Sequence, residues 1–153
     1  MYNLSKELRE ELEQNILPFW MNRMIDQRNG DFLGRIDGCG NPVPDAEKGA
    51  ILNARILWAF AAAYRVLHKP EYLDAATRAK DYFINHFIDV QEGGVFWSLD
   101  AQGNVLDAKK QTYAIGFAIY GLSEYARATG DKEALLQVEK LICLVKRLQL
   151  HDG

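Results

Sequence analysis

An internal repeat at an offset of 63 residues limits this chain more than any other feature. Asp26 to Asn41 reads DQRNGDFLGRIDGCGN and Asp89 to Asn104 reads DVQEGGVFWSLDAQGN. Identical residues stand at Asp26/Asp89, Gly30/Gly93, Asp37/Asp100, Gly40/Gly103 and Asn41/Asn104. The helical segments that follow repeat at 61 residues, which sets Tyr64 of AAYRVLHKPEYL on Tyr125 of SEYARATGDKEAL. A unit of this length, a helix pair with a long glycine-rich loop, belongs to arrays whose members bury a core only by stacking on neighbours. By the same offset a third loop would begin at Asp152. Residues 1–153 are therefore expected to be a single partial domain of a larger array.

Five helices are predicted. The first, about Leu4 to Ile25, carries Leu4, Leu8, Leu12 and Ile16 as one apolar stripe among charges. The second, about Ala46 to Leu67, is apolar nearly all round in ILNARILWAFAAAY and should be covered on both sides. The third, about Glu71 to Phe87, is amphipathic again, the fourth, about Lys110 to Ala128, is mostly apolar, and the fifth, Asp131 to about Leu150, is amphipathic. Half-wet and buried helices thus alternate.

The connections alternate as well. His68-Lys69-Pro70 is a tight turn, and Gly130 with Asp131 reads as a helix C-cap followed by an N-cap. The other two connections are long, and within the second GGVFWSLD, AQGN and VLD read as two short strands around a turn. Outer helix, long loop, inner helix, short turn is the order of an α/α toroid with its long loops at one end, beside the inner-helix N-termini. Long loops on a rigid frame are where binding sites tend to lie. Closing six such pairs into a barrel takes about 370 residues, so this chain holds about two and a half pairs.

Composition narrows the function classes. With 48% hydrophobic residues, 25% charged and a net charge of −3, the chain has the balance of a soluble globular protein. It lacks the basic stripe that a nucleic-acid partner requires. Cys39 and Cys143 match no metal spacing and read as reduced thiols. The N-terminus is charged and helical rather than signal-like, and the apolar run Ile56 to Tyr64 is too short to span a membrane. The default expectation is a cytoplasmic protein without a membrane partner.

Arg55 interrupts the most apolar helix, and a buried arginine needs a partner. It could pair with Glu47 or Asp45, could emerge at a helix surface, or could point from an inner helix toward the barrel axis and bind an anionic or polar oxygen. Tyr113 opens the fourth helix at the same end, where packing is the ordinary role for a tyrosine and pocket lining the functional one. Asn53, Trp58 and Trp97 could build the wall of a sugar site, since indole faces stack on sugar C–H surfaces and amides bind hydroxyls. Trp58, inside the apolar run, is expected in the core, and Trp97, in the glycine-flanked hairpin, on the wall. His68, His86 and His151 are not placed as a general base or as metal ligands.

Four segments carry a resemblance: ILPFW (Ile16 to Trp20), KGAILNARILWAFAAAYR (Lys48 to Arg65), GGVFWSLD (Gly93 to Asp100) and KQTYAIGFAIYGLSEYARATGDKEAL (Lys110 to Leu135). In order and spacing they resemble the N-terminal portion of the N-acylglucosamine 2-epimerase family, and FAIYGLSEY favours its cellobiose-epimerising members. The resemblance implies an (α/α)6 barrel that interconverts C2 epimers at the reducing end of a β-1,4-linked disaccharide such as cellobiose or lactose. In that family a histidine removes the C2 proton to give a cis-enediolate and a second histidine reprotonates the other face, with no metal or redox cofactor. By motif, Arg55 matches the family arginine on the C1/C2 oxygens and Tyr113 a tyrosine lining the same pocket. The first loop departs from the family, reading GDFLGRID where two glycines and an aromatic pair are usual. The family's catalytic histidines lie in later helix pairs, so this chain alone is expected to be inactive.

Two other functions fit the residues. A glycoside hydrolase on the same toroid would need a carboxylate pair, which Asp31 and Asp37 could supply. A non-catalytic interaction module would expose apolar inner helices and self-associate.

Overall fold

The alternation of half-wet and apolar helices becomes two layers in the computed structural model, which describes residues 3–151 and their side chains through 148. Asp152, where a third loop was expected to begin, lies outside the described residues. Helices α1 (Leu4–Glu11) and α2 (Leu17–Arg23) form one helical rod, α3 (Ala50–Leu67) and α5 (Thr112–Thr129) lie side by side, and α4 (Pro70–Tyr82) and α6 (Lys132–His151) pack outside them. Strands β1 (Lys48–Gly49), β2 (Ser98–Leu99) and β3 (Val105–Asp107) make an antiparallel sheet in the order β1-β2-β3.

Expected boundaries shift at the first two helices, each for a backbone reason. The first helix is not continuous to Ile25. It widens into a π turn over Leu12–Ile16, where Leu17 N–H reaches Leu12 O, just ahead of Pro18. Proline has no N–H to give and its ring crowds the carbonyl four residues back, so the turn opens. The second helix begins at Ala50 rather than near Ala46, because Lys48 and Gly49 are held extended opposite Leu99 and Ser98.

The short turns follow the sequence. Helix α3 ends on His68 in the left-handed region (φ 55°), whose N–H bonds Tyr64 O at 2.8 Å, and Pro70 starts α4. Gly130 (φ 77°) closes α5, and Asp131 Oδ1 caps α6 by accepting the Ala134 N–H at 2.7 Å.

The repeated residues are those that make the loop turns. Asp26 Oδ1 accepts the N–H groups of Arg28 and Asn29, and Asp89 Oδ1 those of Gln91 and Glu92. Gly30 and Gly93 then take φ of 83° and 80°, which side chains resist. In the second turn Asn41 donates its N–H and its amide to the two oxygens of Asp37, and Asn104 does the same to Asp100. A lysine ahead of each inner helix ties down the first aspartate of its loop: Lys48 Nζ lies 2.9 Å from Asp26 Oδ2 and Lys110 Nζ 2.6 Å from Asp89 Oδ2. These lysines stand 62 residues apart and belong to the repeat, a link that the sequence reading missed.

Helices α3 and α5 meet closely enough that a Cβ on Gly121 would lie 2.6 Å from the carbonyl oxygen of Ala54. Gly121→Ala gains up to about 1 kcal/mol of helix propensity. It must also push two helices apart, an overpacking cost of about 1–3 kcal/mol. The clash is with rigid backbone, so we expect net destabilisation and a fall in Tm of a few degrees in a thermal scan; an unchanged or raised Tm would show that the helices can separate freely.

Helix α3 bears on two further expectations. Ala54, Leu57, Phe60 and Ala61 are buried and Arg55, Ala59 and Val66 exposed along one face, so among the described residues the helix is covered on one side. Its 18 residues are also, by length and composition, apolar enough to cross a membrane, which the shorter run Ile56 to Tyr64 concealed. One side of it packs against α4 and α5.

Candidate functional site

The open face of α3 continues into a groove of about 910 Å³ whose other wall is the rod α1–α2. Leu8, Leu12 and Ile16 of the predicted stripe line it, together with Arg55 and Trp58 of α3 and Tyr120 of α5. Arg55 is exposed there and makes no ion pair or hydrogen bond among the described residues, so of its three possible roles the pairing with Glu47 or Asp45 is not formed.

Trp58 is not the core residue that its apolar surroundings suggested. It is half-buried and stacks on Tyr120, ring centroids 4.9 Å apart and planes 10° apart, across the seam between α3 and α5. Burial first, and then the Glu124 carboxylate, push the Tyr120 phenol above its ordinary range, while the Arg55 charge opposes them. Arg55, Trp58 and Tyr120 thus form one patch. Below it Glu124 accepts from Arg65 Nε at 2.6 Å.

The sequence reading passed over Tyr120. The signal was present, because Tyr120 follows Tyr113 by seven residues and so shares its face two turns on. Tyr113 is 63% exposed in the first turn of α5, with its ring edge-on to Phe117, and Phe117 is edge-on to Tyr120. The three aromatics run down α5 from the loop end toward the Arg55 patch.

Trp97 also lies at the loop end. Its carbonyl accepts the Ala50 N–H at 3.0 Å at the start of α3, and Lys109 Nζ sits 4.6 Å from its ring centre. Asn53 is placed differently from its expected wall position: it is 2% exposed, and its amide donates back to Gly49 O at 2.8 Å. That placement puts it behind the wall. The structure therefore brings Arg55 together with Trp58 and Tyr120, sets Tyr113 and Trp97 at the same end, and leaves Asn53 out.

The other candidate chemistries lose their groups. Asp31 is buried, and Asp37 spends its oxygens on Cys39 and Asn41, so neither carboxylate is presented as half of a hydrolytic pair. His68 caps α3 at the far end, and His86 stacks on Tyr82 at 4.2 Å. The side chain of His151 lies outside the described residues. Among the described residues no three His, Cys, Asp or Glu side chains converge as metal ligands, and Cys39 and Cys143 are free and exposed.

With this geometry in view, the comparisons with known proteins are specific. The family model of N-acylglucosamine 2-epimerase matches residues 30–152. The chain belongs to this family. Among N-acylglucosamine 2-epimerase relatives, the cellobiose 2-epimerase of Bacteroides fragilis is 59% identical over 138 residues, 90% of this chain and 35% of its own length. That of Ruminococcus albus is 45% identical over 146 residues, covering 95% of this chain and 37% of its own. The solved cellobiose 2-epimerase of Bacillus thermoamylovorans superposes with a TM-score of 0.89 at 42% identity, covering 92% of this chain and 36% of that one. This chain spans about a third of the length of the relatives it matches, and its layers are part of an (α/α)6 toroid.

Proposed function

We propose that this chain supplies the arginine-bearing wall of a sugar 2-epimerase acting on the reducing-end residue of a β-1,4-linked disaccharide such as cellobiose or lactose. The observation that carries the reading is Arg55: a cation without a partner among the described residues, beside an aromatic pair, at the loop end of an inner helix. The relatives named cellobiose 2-epimerases support the substrate class.

In the proposed reaction the sugar ring opens, a base takes the C2 proton, and the C2–H electrons form the C1–C2 double bond as the carbonyl electrons move onto O1. The cis-enediolate collapses when a proton returns to the other face of C2. In this reading Arg55 holds the oxygen that gains charge, and such preorganised stabilisation contributes about 2.7–4 kcal/mol at the transition state. Tyr113 and Trp97 receive the sugar at the rim, and Trp58 with Tyr120 forms an apolar floor.

In this reading the proton-transfer bases come from elsewhere in the enzyme; of the histidine side chains among the described residues, His68 and His86 both lie off the groove. Incubated with cellobiose in heavy water, a product of the relatives' length should gain deuterium at C2 and form the mannose-ended epimer. The 153-residue chain alone should give negligible exchange. Release of glucose instead would favour a hydrolase, and full exchange by the chain alone would overturn the assignment of the bases.

A further inference from the structure

One buried carboxylate takes no part in the groove. Asp31 is 2% exposed, and neither of its oxygens finds a hydrogen bond of good geometry among the described residues. Its φ is also +60°, a conformation that side chains rarely adopt. Strain, burial and an unsatisfied carboxylate at one position are costs that a purely structural residue would shed.

The second repeat shows the same loop without them. Gly94, 63 residues on, takes φ +87°, and a Cβ there would meet Leu144, which stands 62 residues after Tyr82. Where the second repeat has glycine and leucine, the first has Asp31 and Tyr82, and the buried Tyr82 hydroxyl has no partner among the described residues either. Tyr82 packs over this loop, its ring 3.7 Å from where a Cβ on Gly30 would lie.

The charged and titratable groups around this pair are few. Lys48 of β1, Asp26 of the same loop, and Arg78 and Tyr82 of α4 act on Asp31, while Asp100 and the stacked His86 face Tyr82. Lys48 Nζ is already bonded to Gly30 O at 2.7 Å and to Asp26 at 2.9 Å.

We propose that Asp31 is a proton-operated latch on the first loop: protonated, it seats the loop against α4, and ionised, it competes with Asp26 for the single ammonium of Lys48 and the loop loosens. The loop it controls carries Phe32, stacked 5.8 Å from Phe60, and Gly34, whose backbone lies against Glu47 O just ahead of α3. Loosening it uncovers the rim end of α3. The latch rests on the burial, the unpartnered oxygens and the positive φ of Asp31 beside the Lys48–Asp26 pair, and it does not depend on the sugar reading.

Burial raises the acid range of Asp31 to about 7, against the opposing pull of Lys48, the Phe32 N–H and Arg78. The seated loop therefore holds a proton that the open loop, at the ordinary value of 3.8, gives up. The latch is at full strength below that ordinary value, weakens as pH rises, and is spent above about 7.

Hydrogen exchange of two amides reads the latch directly: Leu33 N–H, bonded to Met24 O at 2.7 Å, and Asp26 N–H, bonded to Asp31 O at 2.9 Å. After correction for intrinsic rates, opening in the intact protein should rise by up to about tenfold per pH unit between about pH 5 and 7 and level off above. In Asp31→Asn the profile should be flat. If that variant does not fold, Asp31→Gly, which copies Gly94, should fold and be flat. A flat profile in the unsubstituted protein, or the same slope in either variant, overturns the latch.

Discussion

Lys48→Met is expected to remove about 3–5 kcal/mol of stability, the cost of stranding a buried charge. Lys48 is fully buried, and the Asp26 carboxylate that it pairs with is 3% exposed. Burial works to push Asp26 up, but the Asn29 N–H, Lys48 and the Arg28 N–H outweigh it and hold the carboxyl below its ordinary range. Without the ammonium, Asp26 either stays charged in the core or takes up a proton to fold. The repeat provides the control. Lys110 makes the same contact with Asp89, but its side chain is 27% exposed, so Lys110→Met should cost about 1 kcal/mol or less. Urea unfolding followed by tryptophan fluorescence compares the two. A domain is stable by about 5–15 kcal/mol, so the first change should shift the midpoint strongly and the second little. The pair with Asp26 contributes above that carboxyl's ordinary value and is lost as pH falls through its lowered one. The gap between Lys48→Met and the parent should therefore shrink in acid. Equal small losses for both lysines would mean that the buried pair contributes no more than the exposed one.

The repeat made the fold legible because its residues are fixed by backbone demands. Gly30, Gly40, Gly93 and Gly103 are needed for positive φ, and Asp26, Asp37, Asp89 and Asp100 for the turns, so sequence identity survived there. Helix pairs and tight turns followed from periodicity and from His68-Lys69-Pro70 and Gly130-Asp131. What could not be read was anything that depends on which side of a helix is covered. An apolar helix such as α3 looks the same whether it is enclosed on all sides or borders a groove, so its apolar run points Trp58 to the core. Lys48 was hidden for the opposite reason: a lysine before a helix reads as solvent-facing until its partners, 18 and 22 residues earlier in the chain, are brought beneath it. Asn53 shows the limit of residue type as a guide. An amide suits a sugar hydroxyl, but at the first turn of α3 the nearer acceptor is the helix's own Gly49 carbonyl.

Arg55→Ala, made in an epimerase of the relatives' length that contains this chain, should lower kcat/KM for cellobiose by about 10²–10³-fold, the loss expected when a donor to a developing oxyanion is removed. How that loss divides between kcat and KM tests the role. If Arg55 acts on the enediolate oxygen, the loss falls mainly on kcat, because the charge appears only after the C2 proton leaves. If Arg55 merely binds the substrate's oxygens, KM rises and kcat stays near the parent value. Arg55→Lys sharpens the comparison, since it keeps a charge but loses the planar fork that can hold two oxygens at once. It should recover part of the rate and remain well below the parent. Comparing the Tm of the variant with that of the parent separates lost folding from lost chemistry. Deuterium uptake at C2 in heavy water supplies the second readout, as it reports proton removal even when the epimer is slow to leave. Full uptake by Arg55→Ala would remove the arginine from the chemistry and leave the aromatic wall of Trp58 and Tyr120 as this chain's contribution to the site.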